Sequence, residues 1–128
     1  MVKYGWNLWK EGKKMSKEFV NMTNALVVNL KGEIDQCVVS EVKEKIDAEL
    51  LNSQKNNLIM NFEKVSLMDS SGIGLIVGRY KNTRALGGKL LLCGGNRNIR
   101  KMIELSGVDK IAQVFRTVEE ANSFLAVN

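Results

Sequence analysis

The chain has 128 residues, a formal net charge of +5, 45% hydrophobic and 26% charged residues, which suits one compact soluble domain. It contains no histidine, and that excludes Ser-His-Asp and Cys-His nucleophiles, a histidine phosphocarrier and imidazole-bound zinc. Its two cysteines, Cys37 and Cys93, form no Cys-x-x-Cys pair, which argues against a thiolate cluster or thioredoxin-like centre and suits a cytoplasmic protein with reduced thiols.

Residues 1–17 hold five lysines against one glutamate and so carry most of the positive charge. They read as a flexible N-terminal extension, with Tyr4, Trp6, Leu8 and Trp9 among glycines and lysines, a possible partner or membrane-surface role for the two tryptophans, and Met15 as an alternative start. Residues 18–128 form the domain. Phe19–Met22 predicts a short strand, Thr23-Asn24 a turn, and Ala25–Leu30 a second strand ended by Gly32, so the domain opens with a hairpin.

Val38, Val42, Ile46 and Leu50 recur every four residues and predict a helix over Val38–Leu51. Leu58–Phe62 is the next strand, followed by a polar loop. Ile73, Ile76, Val77 and Tyr80 then mark a helix that runs towards Leu86 and stops at Gly87-Gly88. A strand at Lys89–Cys93 leads to a short helix capped by Asn96 or Asn98 and ended by Gly107. Ile111–Phe115 is the last strand, and Thr117-x-x-Glu120 is a capping box for a final helix. The order β-β-α-β-α-β-α-β-α predicts an α/β fold: a single domain with a mixed β-sheet, an opening hairpin and about four packed helices. No apolar run approaches the roughly 20 residues of a membrane span.

Residues 70–103 hold seven arginines and lysines and no acid, but with Tyr80 as the single aromatic among them they show no repeated aromatic-basic interleaving, so they read as solvated helix faces rather than a nucleic-acid surface. The distinctive junction is Asp69-Ser70-Ser71-Gly72-Ile73-Gly74, at the C-terminal end of a predicted strand, where parallel sheets gather function. Asp69 is placed as an N-cap and Ser70 falls at the first helical position. Gly72-x-Gly74-x-x-x-Gly78 lacks the spacing of a dinucleotide loop, and no Gly-x-Ser-x-Gly elbow is present. A serine phosphorylated by another enzyme fits, because a helix N-terminus stabilises the added charge. The residues alone do not separate that switch from a plain Asp-Ser-Ser cap.

Met68-Asp69-Ser70-Ser71-Gly72-Ile73-Gly74, continuing as Gly78-Arg79-Tyr80-Lys81, resembles the anti-sigma factor antagonists of the STAS domain family, the sporulation type above all. Gly32-Glu33-Ile34-Asp35 and Leu105-Ser106-Gly107 fit the same pattern, and the similarity spans about residues 18–126. The resemblance implies a regulator without catalysis, metal or cofactor. It binds an anti-sigma factor that is also a serine kinase, and so frees a sigma factor. The kinase phosphorylates Ser70 from ATP, the antagonist lets go, and a serine phosphatase resets it. Asp35 would lie beside Ser70 on the partner surface, with Asp69 positioning the serine, Ser71 bonding backbone, and Gly72 and Ile73 contacting the partner. Direct nucleic-acid or membrane binding is not implied.

Three features depart from the family pattern. Gln36-Cys37 follows Asp35 where sporulation-type members often carry histidines, and Gly94-Gly95-Asn96-Arg97 stands where an apolar, proline-containing stretch is expected. The N-terminal extension is the third. They keep a stress-response partner-switching module or a small-ligand sensor as the alternative reading, and a small nucleotide-dependent enzyme as a third.

Overall fold

The computed structural model describes the backbone of residues 2–10 and 13–127, and side chains from Ser16 to Val127. Six strands form one sheet in the order of the sequence: β1 (Val2–Lys10), β2 (Lys13–Asn21), β3 (Leu26–Ile34), β4 (Leu58–Met68), β5 (Leu90–Cys93) and β6 (Gln113–Phe115). The first three pair antiparallel, and β3 to β6 pair parallel. The helices are α1 (Val39–Ser53), α2 (Ser70–Ala85), α3 (Arg97–Ser106) and α4 (Val118–Val127), with one 3-10 turn at Val108–Lys110.

Leu26, Val27 and Val28 are all buried, as befits a central strand covered on both faces. One face of the sheet meets the apolar stripes of three helices: Val42, Ile46 and Leu50 of α1, Leu75 and Ile76 of α2, Ile99 and Ile103 of α3. Phe62, Met60 and Leu92 stand at the centre of that cluster. The other face carries a smaller cluster, in which Ala121 and Leu125 of α4 pack on Val27, Ile59, Leu91 and Cys93. Beyond α4 this second face turns polar. Asn61 Nδ2 donates to Asn29 Oδ1 at 2.8 Å, and Asn29 Nδ2 donates to Glu18 Oε1 at 3.3 Å, a ladder of side chains across three strands.

The mixed sheet, opening hairpin and four packed helices match the expected fold class. The element boundaries differ in four places. First, part of the segment expected as a flexible extension is strand: Val2–Lys10 is β1, and β2 begins at Lys13 rather than Phe19. Val2, Tyr4, Trp6 and Leu8 alternate with period two, a strand signal that the scattered glycines and lysines obscure. The side chains of Trp6 and Trp9 lie outside the described residues.

Second, β3 continues through Gly32 to Ile34, and Gly32 takes a φ of 99° at a register shift instead of ending the strand. Third, the expected polar loop after Phe62 is strand as far as Met68, because Glu33 and Ile34 pair with Leu67 and Met68. Fourth, the last strand is only Gln113–Phe115, since Ile111 N and Ala112 N both donate back to Val108 O, closing the 3-10 turn Val108–Lys110. The predicted caps of α2 and α3 form: Asp69 accepts from Ser71 N, and Asn96 accepts from Ile99 N at 3.0 Å. At α4, Thr117 Oγ1 accepts from Glu120 N, while Glu120 reaches back to Arg116 N rather than to Thr117 itself.

Candidate functional site

The parallel pairing of β3 and β4 places Ile34 beside Met68, so the residues that follow, Asp35 and Asp69, leave the sheet as neighbours. Asp69 N donates to Ile34 O at 3.1 Å and closes the gap between the two strand ends. Asp35 then turns the chain into α1. Its Oδ1 accepts from Cys37 N at 2.9 Å, and its carbonyl accepts from Val38 N and Val39 N. This is an aspartate turn that starts a helix without a side-chain cap at Val38.

Asp69 makes the corresponding turn into α2, and its carboxylate serves both elements. Oδ1 accepts from Ser71 N at 2.8 Å and from the Ser71 hydroxyl. Oδ2 accepts from Gln36 N at 3.3 Å in the β3–α1 turn. One carboxylate thus ties the two helix starts together, and the aspartate pair and Ser70 share one edge of the domain.

The two serines differ in chemistry. Ser71 is half-buried and its hydroxyl is committed to Asp69. Ser70 is exposed as the first residue of α2, and its hydroxyl makes no hydrogen bond among the described residues. The 16-residue helix behind it has no acidic residue in its first turn, so its N-terminal partial positive charge is offset only by the Asp69 cap. That end suits an added anion such as a phosphate.

Gly72 is buried and lies under Met68: a Cβ there would come within 2.3 Å of Met68 Cγ. This close approach lets α2 start directly beneath the end of β4. Ile73 is half-buried and packs on the main core, so only part of it faces outward. Leu67, 59% exposed and two residues before Asp69, is an apolar side chain on the same edge. Reading residues 63–67 as a polar loop missed it. The recoverable signal was an isolated leucine between Ser66 and Met68 at a strand end.

Among the described residues no three His, Cys, Asp or Glu side chains gather as a metal site would need, and no helix is long and apolar enough to cross a membrane.

The STAS domain model matches residues 16–121, and the chain belongs to that family. It is 30% identical over 98 residues to the anti-sigma F factor antagonist of Paenibacillus polymyxa, covering 77% of this chain and 84% of that one. It is 35% identical over 83 residues to the anti-sigma F factor antagonist of Lysinibacillus sphaericus, covering 65% and 71%. Among solved structures it resembles the anti-sigma factor antagonist SpoIIAA in its unphosphorylated form, with a TM-score of 0.75, 29% identity, and 88% and 97% of the two chains covered.

Proposed function

We propose that this protein is an anti-sigma factor antagonist whose grip on its partner is set by the phosphorylation state of Ser70. In the unmodified form, the edge built from Asp35, Asp69, Ser70, Ser71, Gly72 and Ile73, with Leu67 as an apolar anchor, docks on an anti-sigma factor that is also a serine kinase. Docking in the cytoplasm releases a sigma factor. The protein itself is a binding module, and the kinase supplies the chemistry.

The single observation that carries this reading is the contrast between the two hydroxyls: Ser71 is held by Asp69 while Ser70 faces solvent unbonded. In the transfer, Ser70 Oγ attacks the γ-phosphorus of ATP held by the kinase. The hydroxyl proton passes to a base of the kinase, and ADP leaves. The product carries a charge of about −1.5 to −2 at neutral pH. The α2 N-terminus stabilises that charge within the domain, so the fold survives. Towards the partner, the same group adds bulk and negative charge beside Asp35 and Asp69, which weakens docking. A serine phosphatase reverses the step.

The family membership and the named antagonists among the relatives support the role. Incubation with the cognate kinase and ATP should add one phosphate to the protein, none to Ser70→Ala, and one to Ser71→Ala. Phosphate found at another residue, or a Ser70→Asp variant that binds the kinase as tightly as the unmodified protein, refutes the proposal.

A further inference from the structure

The family-like edge leaves unexplained the Gly94-Gly95-Asn96-Arg97 loop, where the chain departs from the expected apolar, proline-containing stretch. In the structure this loop walls a cavity of about 590 Å³ on the second face of the sheet, beside the N-terminus of α4. That is the size range of small-molecule sites, and it opens where β5 and β6 end, at Gly94 and Arg116, against the middle of β4. Val20 and Val27 contribute an apolar patch, and Asn29 and Asn61 a polar one.

The polar patch is pre-organised. Asn61 bonds Asn29 through its amide nitrogen and accepts from Glu63 N through its oxygen at 3.1 Å. The loop lies close against β4, where a Cβ on Gly94, at a φ of 71°, would meet Glu63 N at 2.8 Å, and Gly94 N donates to Phe115 O at 3.1 Å. Charges of both signs face the cavity. Glu63, Glu119 and Arg100 line it, and none of the three makes an ion pair or side-chain hydrogen bond among the described residues. Arg116 joins them at the rim, already paired with Glu120 at 3.4 Å. The buried Cys93 thiol senses the acidic end: burial first, then the Glu119 and Glu63 charges, push it up to about 12.

Opposite charges that share one concave wall without pairing with each other are complementary to a dipolar guest. We propose that this cavity binds a small zwitterion of the amino-acid class, its carboxylate at Arg100 and its ammonium at Glu63 and Glu119. The mixed floor accepts a short side chain. This site is separate from Ser70 and stands whether or not Ser70 is the phosphoacceptor.

The test is a titration of the isotope-labelled, unphosphorylated full chain, followed by amide NMR, with the common free amino acids and alanyl-alanine to about 10 mM, a range that detects millimolar affinity. Butylamine and butyrate serve as singly charged controls. At least one zwitterion should give saturable shifts at Gly94, Gly95 and the Asn61 side-chain amide, with neither control doing so. Arg100→Ala and Glu63→Gln, both at exposed positions, should each weaken that binding about tenfold or more while leaving the rest of the spectrum intact. Absence of saturable shifts with every zwitterion overturns the proposal. So do equal shifts from butylamine or butyrate alone, or variants that bind as the parent does.

Discussion

The neighbouring hydroxyls at the start of α2 differ in environment because of one carboxylate. Asp69 spends both oxygens on backbone and Ser71, which leaves Ser70 the exposed member of the pair. Asp69→Ala removes a helix cap and the tie to the β3–α1 turn, and should cost about 1–2 kcal/mol in urea unfolding, with Asp69→Asn keeping most of it. A cost near zero would show that neither bond contributes. The cysteines differ in the same residue-level way. Cys37 is exposed, whereas Cys93 is buried, and that burial pushes its thiol pKa up to about 12. Native protein treated with a thiol reagent at mildly alkaline pH should therefore label once, at Cys37, and twice only when unfolded.

At the scale of elements, α1 and α2 are locked by polar groups where a helix pair usually relies on apolar ones. Arg79 is only 4% exposed, with Nε 2.8 Å from Asp47 Oδ1, and Asn82 donates to the same oxygen at 2.9 Å. The arginine contact is an ion pair without hydrogen-bond alignment. Burial lowers the Arg79 pKa while Asp47 raises it, so the partner offsets part of the desolvation. Arg79→Ala should destabilise by about 2–3 kcal/mol, less than the roughly 3–5 kcal/mol of a fully buried pair because Asp47 keeps some solvent. Apolar Arg79→Met should cost less.

Strand β2 holds a second buried cation. Lys17 is 2% exposed over the Phe19 ring, and burial, with Lys45 nearby, lowers its pKa from 10.5 to about 7. Between those values the unfolded chain holds a proton that the folded chain has lost, so stability rises with pH across that window. Lys17→Met should flatten this rise in denaturant titrations. An unchanged slope would mean that Lys17 is charged throughout.

For the whole molecule, both core clusters begin, among the described residues, in the second half of β2, at Phe19 and Val20, and the family match begins at residue 16. A chain lacking residues 1–12 should still unfold in one cooperative step, with a denaturant slope lower by about a tenth in proportion to the surface removed. It should accept phosphate at Ser70 as the full chain does. Loss of cooperativity would show that β1 is integral to the domain.

The helices were legible in the sequence because their apolar residues recur locally. Val42, Ile46 and Leu50 reveal α1, and Asp69 and Asn96 announce the caps of α2 and α3. The ends of the strands were not legible. Gly32 reads as a stop and residues 63–67 as a loop, yet both stretches are strand because each pairs with the other across some 33 residues of chain. Of the candidate site, the Asp-Ser-Ser-Gly run was visible, as was the expected nearness of Asp35. The exposed Leu67 and the two-ended role of Asp69 were not.

The residue order alone determined the four helices, the cores of the inner strands, the cap positions of α2 and α3 and the family resemblance, since period, capping chemistry and motif are properties of short windows; β1 escaped it. Tertiary structure alone decided how far β3 and β4 extend, which serine is tethered, and that Glu63, Arg100 and Glu119 look into one cavity. Those outcomes depend on register and on which faces meet across the sheet. Such long-range geometry arises only when distant segments bury their apolar sides together.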